Sequence, residues 1–337
     1  MKKIMNHVDQ MVDEALDGME AAFPQYLRRI VGTHVLVRRT PKPDGRVGLV
    51  SGGGSGHEPA HGGYVGRGML DAAVAGEVFT SPTPDQVLEG IRAAHHGAGV
   101  LLVIKNYTGD VMNFDIAWEM AEAEGIPVAS VIVNDDVAVQ DSLYTTGRRG
   151  IAGTVLVHKI AGALAERGGS LAEVKRIAEK VIQNVRSMGF ALTPCTVPAV
   201  GRPTFELGDD EMEMGIGIHG EPGTHRQPIV PANELVDELL HRIEDDLGLG
   251  EGQHVMVLVN GMGGTPMMEL AIMARRVAEW AKERRHRLEA QWVGEFMTSL
   301  DMSGASLTVL RLDEELTDLL QDPADTPAFR QGGFHDH

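Results

Sequence analysis

The chain has a single cysteine, Cys195, among 337 residues. No intrachain disulfide can form, which fits a reducing, cytoplasmic compartment. Aromatic residues make up only 4%, too few for the aromatic-rich strands of a typical β-sandwich. No apolar run approaches the length of a membrane span, and the first residues, Met1-Lys-Lys-Ile-Met-Asn-His7, lack the apolar core of a signal peptide. Positive charge is also short. Lys and Arg total 30 against 48 Asp and Glu, a net charge of −18. A surface so negative repels phosphate backbones and anionic lipid, which argues against nucleic-acid or membrane-surface binding. No Gly-Lys dipeptide occurs, so no P-loop is possible, and the protein-kinase signature set is missing.

What is present is glycine, at 41 residues, and an ordinary hydrophobic fraction of 43%. This composition suits many tight strand–helix turns. The length favours two domains. Short apolar runs at residues 47–50, 100–104 and 128–133 read as strands. Between the last two, Val111, Phe114, Ala117 and Ala121 recur on one helical face. That order predicts crossover connections and a largely parallel sheet. Helical patterns follow at residues 152–166 and 171–189. Residues 192–203 contain three prolines and a glycine, as a domain joint does. Beyond it, strands are expected at 214–219, 254–260, 288–293 and 307–312, with helices at 235–247 and 267–284. The expected architecture is therefore α/β, with two α/β domains, 1–191 and 192–337. Each has a largely parallel or mixed sheet flanked by helices.

Three clusters carry chemistry. The first is Ser51-Gly-Gly-Gly-Ser-Gly-His-Glu-Pro-Ala-His61. Glycines allow close approach to a ligand, and Pro59 suits the first residue of a helix. The expectation is a glycine loop feeding a helix N-terminus, with His57 beside the bound group; the plainer alternative is a tight turn whose histidine caps the helix. His57 to His61 also spells H-E-x-x-H, the zinc-protease pattern. That pattern needs one continuous helix, and Pro59 conflicts with it. The second cluster is Lys105-Asn-Tyr-Thr-Gly-Asp110, at the C-terminal end of a predicted strand, where open α/β sheets bind ligands. Lys105 offers donors and charge, and Asp110 a carboxylate that serves as a helix cap or as a general base. The third is Met214-Gly-Ile-Gly-Ile-His-Gly-Glu-Pro-Gly223. There Glu221 either orients His219 or is a solvated turn residue.

Weaker signals have plainer readings. Asn260-Gly-Met-Gly-Gly-Thr-Pro266 reads as a packing turn. Asn134-Asp-Asp136 reads as a turn, Cys195 as a buried small side chain, and the two histidines of the 331–337 tail as poor evidence for a metal.

Taken together the clusters resemble the dihydroxyacetone-binding subunit of dihydroxyacetone kinases, the DhaK family. Further matching stretches are Gly76-Glu-Val-Phe-Thr-Ser-Pro-Thr-Pro-Asp-Gln86, Asp141-Ser-Leu-Tyr144 and Gly147-Arg-Arg-Gly-Ile-Ala-Gly-Thr-Val-Leu-Val-His-Lys159. The resemblance implies that His219 adds to the carbonyl carbon of a small ketose as a hemiaminal. It implies that His57 and Asp110 flank the hydroxyl to be phosphorylated, and that Gly54, Ser55, Gly56 and Lys105 hold the remaining oxygens. It implies no cofactor on this chain. Nucleotide and Mg2+ would sit on a separate L-type subunit, served in some systems by a phosphotransferase-system M subunit, and no fused L domain is expected here. A homodimer is implied too. Relatives of this kind also act as ketose-responsive partners of transcription regulators, an alternative without kinase activity. The residues do not select dihydroxyacetone over a ketotetrose, or ATP over a phosphoenolpyruvate-derived donor.

Overall fold

Apolar residues run almost continuously along the central strands, so each strand has two buried faces and must be covered on both sides. In β3 (Arg46–Ser55) and β5 (Gly97–Lys105), Val47, Leu49, Leu101 and Val103 join one core, and Val50, Val100, Leu102 and Ile104 join another. The structure, a computed structural model, describes residues 2–140 and 145–332. The Asp141–Tyr144 match and the tail histidines lie outside the described residues.

The first sheet also contains β1 (Leu27–Arg29), β2 (Val35–Arg38), β4 (Ala72–Val78) and β6 (Val128–Val133), in the order β1-β2-β4-β3-β5-β6. β4, β3, β5 and β6 are parallel, and β1 and β2 add antiparallel pairs at one edge. Helices α2 (Pro84–Ala94) and α3 (Thr108–Ala123) cover one face. Helices α4 (Gly153–Arg167) and α5 (Leu171–Asn184) share a core with the other face and with the second sheet, so they form a central layer. α4 is buried almost all round, as a helix between two sheets must be. α1 (Met11–Ala22) packs beside the first sheet.

The second sheet runs β11-β10-β12-β7-β8-β9. Its strands are β7 (Val185–Ala191), β8 (Glu211–Met214), β9 (His225–Pro228), β10 (His254–Gly261), β11 (Arg287–Glu295) and β12 (Gly304–Leu312). Only β10 and β11 are parallel. α6 (Ala232–Leu247) and α7 (Met267–Glu283) cover its outer face. α8 (Glu314–Gln321) packs on α4, and a short pair, β13 (Ala324–Asp325) with β14 (Arg330–Gln331), follows it. Among the described residues no helix is long and apolar enough to cross a membrane.

Three sequence expectations change. The helix expected over 171–189 stops at Asn184, and residues 185–191 pair with β12 instead. β7 therefore belongs to the second sheet, one strand before the division placed after residue 191. The strand expected at 214–219 is only Met214; Gly215 turns the chain at φ +72°. No helix follows Pro59. β3 extends through the glycines to Ser55, then residues 56–61 turn into a short 3-10 segment, Gly62–Tyr64. Pairing with β4 overrides the weak strand preference of glycine. The glycines admit close packing: a Cβ at Gly52 would lie 2.3 Å from the Val74 carbonyl oxygen.

One buried ion cluster ties the first sheet together. Asp71 accepts from Lys42 Nζ at 2.7 Å and from the Leu49 amide at 2.8 Å, and Arg38 lies 3.2 Å away. Burial pushes the Asp71 carboxyl up, but Lys42, His96 and Arg38 together hold it well below the ordinary range. Asp71→Asn leaves Lys42 buried without a counter-charge. We expect it to cost about 3 kcal/mol, read as a fall in the urea midpoint of unfolding at neutral pH.

Candidate active site

The C-terminal ends of β3 and β5 bring Gly54, Lys105 and Asp110 together, as expected for an α/β sheet. His219 arrives from the second sheet, on the turn after β8. The two halves are clasped by the loop between β11 and β12: Leu300 N–H donates to the Gly56 carbonyl at 2.8 Å and Thr298 N–H to the His57 carbonyl at 3.2 Å. Between them opens a cleft of about 970 Å³ lined by Gly54, Phe79, Ser81, Asp110, His219 and Glu221, among others.

His57 is fully buried. Its Nδ1 lies 2.8 Å from the Thr298 carbonyl oxygen, which can only accept, so Nδ1 carries the proton. Nε2 is then a bare lone pair, buried and without a partner among the described residues. Burial pushes the ring well below its ordinary pKa, and positive charge at His219 and Lys105 pushes it the same way. His57 is a neutral imidazole with one free basic nitrogen.

His219 is fixed by a different partner. Its Nδ1 faces Glu221 Oε1 at 3.4 Å, and its own amide donates to Glu221 Oε2 at 3.0 Å. With Nδ1 turned to a carboxylate, the tautomer that leaves a lone pair on Nε2 is favoured. Three rings hold the imidazole edge-on, Tyr107 at 4.4 Å, His57 at 4.8 Å and Phe79 at 5.3 Å between centroids. Glu221 is 4% exposed, so it is the orienting group rather than a solvated turn residue. Burial alone would push its carboxyl up; His219 and Arg149 outweigh this and bring it down to about 2. A group lowered on folding stabilises fully above its ordinary value of 4.5 and loses that contribution as pH falls toward about 2. The urea-stability gap between wild type and Glu221→Gln should therefore shrink as pH falls below 4.5.

Asp110 sits in the first turn of α3, after Tyr107 at the N-cap position, so it is not the cap. It accepts from the Ser81 hydroxyl and stands 3.8 Å from Lys105 Nζ. Lys105 is fully buried and donates to the Gly52 carbonyl at 3.0 Å. The other expected oxygen-holding groups are engaged elsewhere. Ser55 donates to the Gly76 carbonyl at 2.7 Å, and the Gly56 amide faces the Glu58 carboxylate at 3.0 Å.

Several participants carry no role in the sequence reading. Arg149, fully buried, binds Asp136 through Nε at 2.8 Å and the Gly215 carbonyl through Nη2 at 2.8 Å, which pins the start of the His219 turn. Asp135 accepts from the amides of Ile151 and Gly153, each at 2.8 Å. The pair read as a turn is thus a buried anchor. Ser81, Tyr107 and Arg149 all fall within motif stretches, but nothing in their spacing announces these contacts. His57 and His61 share no helix, so the zinc-protease geometry is not formed. The Asn260 turn is a packing device, its side-chain oxygen accepting from the amides of Phe296 and Met297 at 2.9 Å each.

Fold and site together define a two-sheet α/β protein that brings a carboxylate-oriented histidine, His219, and the carboxylate of Asp110 to one open cleft. A family model described as the Dak1 domain matches residues 17–328. The PTS-dependent dihydroxyacetone kinase 1, dihydroxyacetone-binding subunit DhaK, of Listeria innocua is 57% identical over 330 residues, covering 98% of this chain and 100% of its own. The dihydroxyacetone kinase operon co-activator DhaQ has a TM-score of 0.90 at 36% identity, over 97% of this chain and 100% of its own. The dihydroxyacetone kinase from C. freundii, solved with AMP-PNP and Mg2+, has a TM-score of 0.89 at 37% identity, over 98% of this chain and 61% of its own. The chain belongs to the Dak1 family, as a dihydroxyacetone kinase subunit of the DhaK type.

Proposed function

We propose that this chain binds dihydroxyacetone covalently through His219 and presents its hydroxyl to a phosphoryl donor held by a separate L-type subunit. The observation that carries the reading is the His219 ring, its Nδ1 turned to Glu221 and its other edge in the same cleft as Asp110. Nε2 attacks the ketone carbon, and the carbonyl electron pair moves to oxygen, which takes a proton to become a hydroxyl. The charge gained by the ring faces Glu221. Glycerol has no carbonyl and cannot form this bond, so selectivity rests on chemistry rather than on shape.

A terminal hydroxyl of the bound ketose then attacks the donor phosphorus while its proton passes to Asp110 or His57, acting as a pair. Lys105 and the backbone at Gly54 hold the remaining oxygens, over a floor shaped by Ser55 and Gly56. A cleft of about 970 Å³ far exceeds a three-carbon ketose, which leaves room for the donor to enter. Phosphoryl transfer needs positioning and charge stabilisation. We assign the nucleotide and Mg2+ to the partner, in line with the match to only 61% of the C. freundii chain. A phosphotransferase-system M subunit as the phosphate source fits the name of the Listeria relative. A reducing, cytoplasmic location fits the single buried cysteine, and a homodimer is what the family resemblance implies.

The likeness to the DhaQ co-activator favours a second reading, a ketose sensor. A sensor needs the covalent histidine but not the acid–base pair. The deciding experiment is dihydroxyacetone phosphate formation by the chain with ATP, with and without an L-type subunit. Product only with the partner supports the kinase reading. Ketose bound at His219 without product, with a cognate partner and phosphotransferase components supplied, supports the sensor.

A further inference from the structure

Beneath the cleft, two buried histidines that the reaction above does not use run on from Lys105. Lys105 Nζ lies 2.9 Å from His61 Nε2, and His61 Nδ1 lies 3.0 Å from His158 Nε2. Lys105 and His158 are fully buried and His61 is 6% exposed. The directions of these bonds are forced. An ammonium only donates, so His61 Nε2 accepts and the His61 proton sits on Nδ1. That proton is donated to His158 Nε2, so the His158 proton sits on its own Nδ1. His158 Nδ1 is buried and has no partner among the described residues, which makes His158 the end of the line. Ser51 Oγ, 3.4 Å from His61 Nδ1, is turned away, donating to the Val103 carbonyl at 2.7 Å.

The consequence falls on Lys105. Its ammonium has three N–H groups. One goes to the Gly52 carbonyl and one to His61, both within 3.0 Å; the third has only Asp110 Oδ2 at 3.8 Å. The ammonium lies against Gly53, where a Cβ would lie 2.4 Å from Nζ and 3.3 Å from Asp110 Oδ2. Glycine at this position, with φ +150°, lets the ammonium approach the backbone beside Asp110. Two donors are thus committed to the fold, and one remains on the side of Asp110, which lines the cleft.

We propose that His61 is a positioning residue, an acceptor that keeps the Lys105 ammonium charged and turned so that its third N–H meets a substrate oxygen, with His158 fixing the His61 tautomer. This rests on the reading that Lys105 holds a ketose oxygen. The groups that face Lys105 are Asp110 from α3, His57 and His61 from the turn after β3, and His158 from α4. Burial pushes the ammonium down and Asp110 opposes it. Both His61 and His158 are held below the ordinary imidazole value, by burial first and then by the charge on Lys105. The positive charge therefore stays on the lysine.

The test compares His61→Leu, which removes the acceptor, with His61→Gln, whose carbonyl oxygen restores one. The readout is the pH profile of kcat/KM for dihydroxyacetone phosphorylation by the full chain with its L-type partner. Without the acceptor the charged lysine is less stable, so activity is lost at lower pH on the alkaline side. We expect the Leu variant to lose about tenfold in kcat/KM and its alkaline limb to move about one pH unit toward acid, with Gln returning the limb to its wild-type place. A Leu variant with an unmoved limb overturns the proposal, as does an equal loss in both variants without any shift. A second readout needs no partner: the pH dependence of adduct formation with carbon-13 dihydroxyacetone, where the same shift is expected and its absence overturns the proposal. Wild type that forms no adduct and no product instead sinks the underlying reading of the site. If His61→Leu does not fold, His158→Leu frees the His61 tautomer and should shift the limb in the same direction by less; no shift there overturns the proposal equally.

Discussion

His219→Ala should form no measurable dihydroxyacetone phosphate with a competent partner and should lose the covalent adduct, while the fold persists. The ring stands at the cleft wall, 13% exposed at its side chain, and its removal leaves the buried layers on either side untouched. Tethering a substrate supplies effective molarities of ~10⁵ M or more, so a loss above ~10³-fold in kcat/KM is expected. Carbon-13 NMR of labelled dihydroxyacetone reads the chemistry directly. In wild type the ketone carbon should move from the carbonyl to the tetrahedral range, and in His219→Ala it should not. A tetrahedral signal of unchanged intensity in the variant would remove His219 from its role. Unchanged product formation would do the same.

Asp110→Asn should separate the two halves of the reaction. The amide keeps the size of the side chain and its contact with Ser81, but it cannot take a proton. General-base groups contribute ~10²–10⁴-fold, so kcat should fall by that factor while the adduct at His219 still forms. His57→Asn is expected to resemble it, because the buried, unpartnered Nε2 has no other use. If both single variants retain near-wild-type kcat, neither residue takes the proton. If Asp110→Asn abolishes the adduct as well, the carboxylate serves binding rather than transfer.

How much of this was legible beforehand depends on whether the signal was local. The continuous apolar run at 100–104 and the 3.6-residue spacing of Val111, Phe114, Ala117 and Ala121 sit within single elements, and both elements formed where expected. The boundaries that failed were decided by distant partners. Residues 185–189 read as helix until β12 offers them a strand to pair with. The glycines at 52–54 read as a loop until β4 lies beside them. The three chemical clusters were visible because each concentrates glycine with a titratable residue. The supporting contacts were not. Arg149 reaches Gly215 across 66 residues, and the His57 ring is set by Thr298, 241 residues away. Asp135 and Asp136 resembled a solvated turn because a run of acidic residues carries no mark of its own burial. Family resemblance supplied roles for His219, His57 and Asp110 that spacing alone left open.

The cleft takes its groups from both halves, Asp110 from the first, with Lys105 buried 3.8 Å behind it, and His219 from the second. A ketose tethered to His219 and hydrogen-bonded to Lys105 would be a reversible strut between two separately hydrogen-bonded halves of the molecule. Occupancy and the seating of one sheet against the other then become linked quantities. Whatever loosens the clasp between Leu300 and Gly56 weakens ketose binding, and ketose binding tightens the clasp by the same free energy. Substrate would act as a removable piece of the architecture, present in the molecule only between loading and transfer.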